Sequence, residues 1–148
     1  RAVVQRVLEA KVDVGGKEVA RAGKGLMALA AFSSTDDSSS IKFIIDKIIN
    51  LRVFEDTEGK LNLSLNDIDG SLLIVPNFTV YGDARKGRRP SFIMSAKPDE
   101  ARGLFEETMA IAKNAFEKTQ FGVFQADMKV YLINDGPVTI LLDSDKII

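Results

Sequence analysis

Cysteine and histidine are both absent from this 148-residue sequence. Without cysteine there is no disulfide, no thiolate nucleophile and no thiolate metal site. Without histidine the commonest general base is missing, and a Ser-His-Asp triad is impossible. An enzyme with this composition would have to work with carboxylates, hydroxyls, Lys or Arg side chains, backbone dipoles, or groups that belong to its substrate.

The sequence also lacks a strong charge of either sign and any long apolar run. A formal net charge of −1 gives no global signal for nucleic acid, so contact with RNA must come from a local patch, and we expect no DNA partner. No apolar run approaches the roughly 20 residues that span a bilayer, and the opening residues lack a secretory stretch. These absences predict a cytoplasmic protein without a membrane partner, and the length fits a single domain over residues 1–148.

Alternating and continuous apolar runs predict several strands. Residues 3–19 fit a hairpin that turns at Gly15-Gly16, and residues 25–32 fit a strand that is buried on both faces. Further strand patterns lie at 52–54, at 61–63, over 72–81 with an interruption at Pro76, at 128–133 and at 138–142.

Two segments have the spacing of amphipathic helices. The isoleucines from Ile41 to Ile49 fall on one helical face, and the serines of loop 35–40 are expected to cap this helix. Pro98, followed by two acidic residues, is typical of a helix start and opens the second helix. Many strands with two main helices predict an α+β fold with a curved, barrel-like, mostly antiparallel sheet.

The pair Gly136-Pro137 stands between the last two predicted strands. Proline removes a backbone donor and is usually excluded from a paired central strand, and glycine lacks a Cβ atom. The flanking strands therefore present a segment with few side chains, from Asn134 to Thr139. This segment fits an ordinary turn, because Asn, Asp, Gly and Pro dominate turns. It also fits a rigid probe whose carbonyl groups face a ligand.

Pro76, in the middle of an apolar run, is the second unusual position. It indicates an edge strand or a bulge, which would free nearby backbone N–H groups to face a ligand. Thr79 would then offer a hydroxyl, and the backbone around Phe78 and Thr79 would form an oxyanion site. The alternative is that Thr79 is a β-branched residue that fills a strand position.

Charged and aromatic side chains suggest further contacts. Arg6 lies among valines, so it needs either a partner or a surface position on an edge strand. Phe124 and Met128 have strand spacing and fit either stacking on a base or packing in the core. A basic loop would either bind phosphates or be simply solvated, and its four cations are Arg85, Lys86, Arg88 and Arg89.

Taken in order, several stretches of the chain form a recognisable set. The stretches are 4–7, 51–54, 87–92, 122–124 and 134–139. Asp56, Gly59-Lys60 and Asn62 follow the second stretch, and 126–128 follows the fourth. This ordered set resembles the D-aminoacyl-tRNA deacylase family, also called the D-tyrosyl-tRNA(Tyr) deacylases, along essentially the whole chain. The last stretch matches the family's Asn-x-Gly-Pro-x-Thr signature.

The resemblance implies a homodimeric enzyme that needs neither metal nor cofactor. Such an enzyme hydrolyses the ester that joins a D-amino acid, or glycine, to the 3′-terminal ribose of tRNA. It implies a cis bond between Gly136 and Pro137, and a segment that reaches into the partner subunit's active site. There the two carbonyl oxygens would meet the α-amino group of the substrate, and an L side chain would collide with the backbone. Arg6 would steady the segment.

The same resemblance assigns the remaining site residues. Phe124 and Met128 would help to form the pocket for the terminal adenosine, and Thr79 matches the family's active-site threonine. No histidine is present to activate the threonine hydroxyl. We therefore favour backbone donors near Phe78 and Thr79 as the oxyanion site, with assistance from the terminal 2′-OH of the tRNA.

One departure from the family bears on substrate choice. The chain has Pro76-Asn77 where the family usually has Ser-Gln, and asparagine is one methylene shorter. We place Pro76 with the substrate-binding residues and Asn77 with the catalytic ones. Proline at this position is similar to the related animal-type deacylase that tolerates L-alanyl-tRNA. The rival functions are a deacylase that edits an L-amino acid mischarged on tRNA, a tRNA-binding module without activity, and an interaction scaffold.

Overall fold

A computed structural model describes residues 1–148 of the chain. The strands are β1 (Ala2–Val14), β2 (Lys17–Ala22), β3 (Gly25–Ala30), β4 (Phe54–Glu55), β5 (Leu61–Leu63), β6 (Ser71–Pro76), β7 (Thr119–Phe121) and β8 (Met128–Leu142). The helices are α1 (Ser38–Asn50), α2 (Pro98–Ala115) and one 3-10 helix, Phe78–Tyr81. Neither α-helix combines the length and the apolar character that crossing a membrane requires.

The long strand β1 organises the main sheet. One of its edges pairs with β8, while the other pairs with β3 in its first half and with β2 in its second half, all antiparallel. Beyond β3 the sheet continues with β6 and β7, which pair in parallel. Parallel neighbours require long crossover connections, and here those connections contain α1 and α2. The predicted α+β fold with a mostly antiparallel, barrel-like sheet and two main helices is confirmed.

The sheet separates two groups of buried apolar side chains. One face of the sheet carries α1 and α2, and the isoleucine stripe of α1 packs there with Phe105 of α2 and Leu26 of β3. The other face buries Met27 of β3 against Val7 of β1 and their neighbours. Because neighbouring residues of β3 contribute to opposite sides, the prediction of a strand buried on both faces is confirmed.

The two α-helices begin differently from one another. The serines that were expected to cap α1 lie inside it, and the cap is Asp37, whose Oδ1 accepts the N–H groups of Ser39 and Ser40, each at 3.0 Å. A carboxylate suits this position because it also interacts favourably with the positive end of the helix dipole. The second helix begins at Pro98, as predicted.

The predicted strand over 72–81 is wrong in its second half. β6 ends at Pro76, and a 3-10 helix follows it, because the side chain of Asn77 caps the new turn by accepting the N–H of Thr79. β7 was not predicted from the sequence. The two strands expected around the Gly-Pro pair are one strand, β8, which is interrupted by a bulge.

Candidate active site

A cavity of about 990 Å³ opens where β6 ends. Its walls come from the end of β6, the first residues of the 3-10 helix, the start of α2 and the loop that precedes β8, and most of its lining is apolar. Five residues predicted for the site line it: Pro76, Asn77, Phe78, Phe124 and Met128. A large apolar concavity with a few polar groups is the usual form of a small-ligand site.

Asn77 organises the 3-10 helix beside this cavity. Its Oδ1 accepts the hydroxyl of Thr79 at 2.6 Å and the N–H of Thr79 at 3.2 Å. Thr79 is exposed but does not line the cavity, and both of its donors are directed at Asn77. The N–H of Phe78 makes none of the loop and turn hydrogen bonds, so it is the donor here that remains for a ligand.

Phe78 and Phe124 stand on different parts of the cavity wall. Phe78 is exposed and meets Phe92 edge to face, with 5.0 Å between the ring centroids. Phe124 lies in the turn before β8 and stacks on Phe105 of the core, with 5.9 Å between centroids. Met128 begins β8, and its sulfur accepts the N–H of Val123 at 3.3 Å. Phe124 therefore packs against the core and also lines the cavity. The prediction that Phe124 and Met128 share a strand is wrong, because Phe124 lies in the turn before β8.

Arg6 is a buried cation with two backbone partners. Its side chain is directed away from solvent, since the residue is only 7% exposed. Nε donates to the carbonyl of Asp135 at 2.7 Å, and Nη1 donates to the carbonyl of Val53 at 2.8 Å. The Asp135 carboxylate lies 3.7 Å from Nε. Charge-assisted bonds of this kind offset the cost of burying a guanidinium. Of the two alternatives that the sequence left open for Arg6, a partner or a surface position on an edge strand, the structure has the first.

The segment 135–138, which we call the Gly-Pro segment, leaves the sheet. Val7 of β1 pairs with Asn134, and Gln5 pairs with Thr139, so four residues of β8 stand opposite Arg6 alone. The peptide bond between Gly136 and Pro137 is cis, and both residues are exposed. Neither these residues nor Arg6 line the cavity of the same chain.

Two supports of the Gly-Pro segment were not predicted from the sequence. Val53 contributes only its carbonyl, which has no signature in a sequence. Asn134 makes hydrogen bonds to Val138 and had a usable signal. Burial alternates along β8, and Asn134 lies on the half-buried face with the apolar residues Val130 and Leu132. A polar residue among apolar ones on that face indicates a specific hydrogen-bond partner.

The basic loop divides into one paired and three unpaired cations. Arg85 donates to the Asp83 carboxylate from Nε at 2.9 Å and from Nη2 at 2.7 Å, and these bonds lower the pKa of Asp83 to about 2. Lys86, Arg88 and Arg89 are exposed and take part in no ion pair of the chain. These three are the cations that remain available for phosphate.

The family described as D-Tyr-tRNA(Tyr) deacylase matches residues 3–143. The chain belongs to this D-Tyr-tRNA(Tyr) deacylase family. Its relatives include the D-aminoacyl-tRNA deacylases of Thermosipho africanus, 54% identical, and Clostridium kluyveri, 52% identical. Each alignment covers 147 residues, which is 99% of this chain and 99% of the relative.

Two solved structures have the same fold as this chain. The structure titled "c-Myc DNA Unwinding Element Binding Protein" superposes with a TM-score of 0.91 at 36% identity, over 96% of this chain and 97% of that one. A probable eukaryotic D-amino acid tRNA deacylase superposes with a TM-score of 0.80, over 94% of this chain and 96% of that one. At 19% identity the second likeness concerns the fold alone.

Proposed function

We propose that this protein hydrolyses the ester bond of D-aminoacyl-tRNA, and of glycyl-tRNA formed on tRNA-Ala, releasing the free amino acid and tRNA. The observation that carries the proposal is the full-length relationship to D-aminoacyl-tRNA deacylases at 54% identity. It is supported by the cavity beyond β6, which two of the segments that carry the family resemblance line, one with Phe92 and the other with Phe124 and Met128. The enzyme works in the cytoplasm and needs no metal, so EDTA should leave its rate unchanged.

The chirality filter is the Gly-Pro segment of a second subunit. Gly136 and Pro137 are exposed and lie outside the cavity of their own chain, so they would meet a bound substrate only in a partner's cavity. Their carbonyl oxygens would accept from the α-amino group of the substrate. In that position a D side chain points to free space, while an L side chain meets the backbone.

The free edge of β8 supports a homodimer. β8 pairs only with β1, so its outer edge exposes a row of unpaired N–H and C=O groups. Tyr131, Ile133 and Leu141 on this strand, with Leu8 on β1, are apolar side chains that are about half exposed. Apolar surface on a long unpaired edge favours association, and a second copy would meet it with the same surface in a two-fold arrangement.

Chemistry in this site relies on the substrate and on backbone donors. Water adds to the ester carbonyl carbon, and the negative charge that develops on the carbonyl oxygen is stabilised by the N–H of Phe78. The bond to the 3′-oxygen then breaks, and that oxygen leaves with a proton relayed through the neighbouring 2′-OH. Thr79 would not act as nucleophile, because its hydroxyl hydrogen is directed at Asn77 and no base stands beside it.

The deciding experiment measures deacylation of D-Tyr-tRNA, L-Tyr-tRNA, glycyl-tRNA-Ala and L-Ala-tRNA under the same conditions. We expect rapid release from D-Tyr-tRNA and glycyl-tRNA and retention of L-Tyr-tRNA. Faster release from L-Ala-tRNA would identify an enzyme that edits an L-amino acid. Binding of tRNA without cleavage over hours would identify a binding module, and absence of salt-dependent binding would identify a scaffold.

A subunit-mixing experiment tests the shared site. A subunit with a disrupted Gly-Pro segment and a subunit with a disrupted cavity are each expected to be inactive as homodimers. Mixed dimers would contain one intact site, built from the cavity of the first and the segment of the second. Recovery of about a quarter of the wild-type activity on random mixing supports a shared site. No recovery, despite exchange of subunits, contradicts it.

A further inference from the structure

The side-chain amide of Asn134 closes the Gly-Pro segment at its base. Its Oδ1 accepts the N–H of Val138 at 2.9 Å, and its Nδ2 donates to the carbonyl of the same residue at 3.1 Å. Both backbone groups of Val138 are thereby satisfied without a strand opposite them. An amide side chain supplies the donor and the acceptor that a β-ladder would have supplied.

The same amide is also connected to the body of the sheet. Nδ2 lies 3.3 Å from Oε1 of Gln5 on β1 and 3.4 Å from Oγ1 of Thr139 on β8. At the other end of the segment, Arg6 holds the carbonyl of Asp135. The exposed pair between these two anchors has few other constraints, since glycine at 136 has no side chain to pack.

We propose that Asn134 is a positioning residue that sets how far Gly136 and Pro137 project, and so sets the discrimination between D- and L-aminoacyl-tRNA. The inference rests on the proposed function, in which those two residues contact the substrate. D and L substrates differ only in which substituent of the α-carbon faces the Gly-Pro segment. A segment that can retreat by about an ångström would admit the L side chain while leaving the D substrate in place.

Asn134→Asp is the sharpest test, because it preserves size and the acceptor but removes the donor. A carboxylate oxygen would then face the carbonyl of Val138 with no hydrogen between them, beside the carboxylate of Asp135. We expect the ratio of kcat/KM for D-Tyr-tRNA to that for L-Tyr-tRNA to fall about tenfold or more. Most of the change should come from faster cleavage of the L substrate.

The matched control is Asn114→Asp, which makes the same chemical change on the exposed surface of α2, where the asparagine side chain makes no hydrogen bond. It should leave the D-to-L ratio unchanged. A merely structural role for Asn134 would lower the rates with both substrates in proportion and would leave the ratio intact.

The results distinguish a failure of the inference about Asn134 from a failure of the proposed deacylase function. If wild type does not prefer D-Tyr-tRNA, the proposed function fails. If wild type discriminates and Asn134→Asp keeps the same ratio, the inference about Asn134 fails alone. Should Asn134→Asp not fold, Asn134→Gln takes its place, because the longer side chain cannot reach both groups of Val138 from the same position. A lowered ratio supports the inference, and an unchanged ratio overturns it.

Discussion

The hydroxyl of Thr79 donates to the side-chain oxygen of Asn77 across 2.6 Å. Asparagine is suited to this contact, since its carbonyl reaches donors two residues ahead and closes a turn of its own. A glutamine, one methylene longer, does not favour the same local bond. The departure from the usual Ser-Gln of the family therefore has a structural consequence, because it engages the hydroxyl that the resemblance marks as the active-site group.

Thr79→Ala tests whether that hydroxyl takes part in the chemistry. We expect single-turnover deacylation of D-Tyr-tRNA to stay within about tenfold of wild type, because the hydroxyl is occupied and no base activates it. Thr79→Ser, which keeps the hydroxyl, is the control. A loss of about a thousandfold or more in the alanine protein, with unchanged tRNA binding, would assign the catalysis to the hydroxyl.

Arg6→Lys tests the anchor beneath the Gly-Pro segment. An ammonium cannot reach two carbonyls that a planar guanidinium bridges, so one buried carbonyl loses its partner. We expect a loss of about 1.5–3 kcal/mol in the free energy of unfolding, seen as a fall of about 5–10 °C in Tm. Arg21→Lys, at an exposed ion pair with Glu18, should change Tm by no more than a degree or two. Equal falls in both proteins would contradict the anchoring role.

Gly136→Ala tests the need for a backbone without a side chain at the tip of the segment. A Cβ there would stand 2.6 Å from the nitrogen of Val138, at a φ of +152° that L residues rarely adopt. We expect activity toward D-Tyr-tRNA to fall at least tenfold, with a loss of about 1–3 kcal/mol in stability.

Alanine substitutions at two other glycines are the controls for Gly136→Ala. Gly25→Ala would place a Cβ 1.9 Å from the carbonyl oxygen of Ser71, inside the sheet, and should unfold the protein. Gly103→Ala meets nothing within 4 Å on helix α2, and should leave the activity intact and raise stability by up to about 1 kcal/mol. If Gly136→Ala keeps full activity, the segment tip does not approach the substrate.

The sequence predicted elements wherever the local pattern and the tertiary environment agree. Pro98 predicted the start of α2. The valines around Arg6 left two alternatives, a partner or a surface position on an edge strand, and the structure has the partner. The 3-10 helix at Phe78 was missed because its residues favour strands, and only the Asn77 cap after Pro76 overrides that preference. β7 has three residues, too few to show a period.

The sequence named candidate residues for the site, whose roles stay predictions, but it did not predict their arrangement in space. The cavity brings together Asn77, Phe78, Phe124 and Met128, whereas Thr79, Arg6 and the Gly-Pro segment do not line it. The distance of the Gly-Pro segment from that cavity depends on the bulge in β8, and the register of two strands is not readable from one sequence.

The three unpaired cations of the basic loop should contribute to the binding of tRNA. Replacing Arg89, Arg88 or Lys86 with alanine should weaken binding to every aminoacyl-tRNA alike. Each substitution should also lower the slope of log Kd against log salt by about 0.7–0.9 for every phosphate that the loop no longer neutralises. Arg85→Ala is the internal comparison and should have a smaller effect, because this guanidinium is already engaged by Asp83.

The hydrogen bonds from Arg85 lower the pKa of the Asp83 carboxylate to about 2. The ion pair is therefore fully formed at pH values above the ordinary pKa of an aspartate, and it is lost only as the pH falls through about 2. Between pH 5 and 8 the difference between Arg85 and the other three cations should therefore stay constant, as filter-binding titrations at several salt concentrations would measure. If Arg85→Ala lowers the slope as much as Arg89→Ala, the ion pair yields to phosphate and all four cations bind the tRNA. If none of the four changes the slope, the loop is only a solvated surface, and the contact with tRNA must lie elsewhere on the chain.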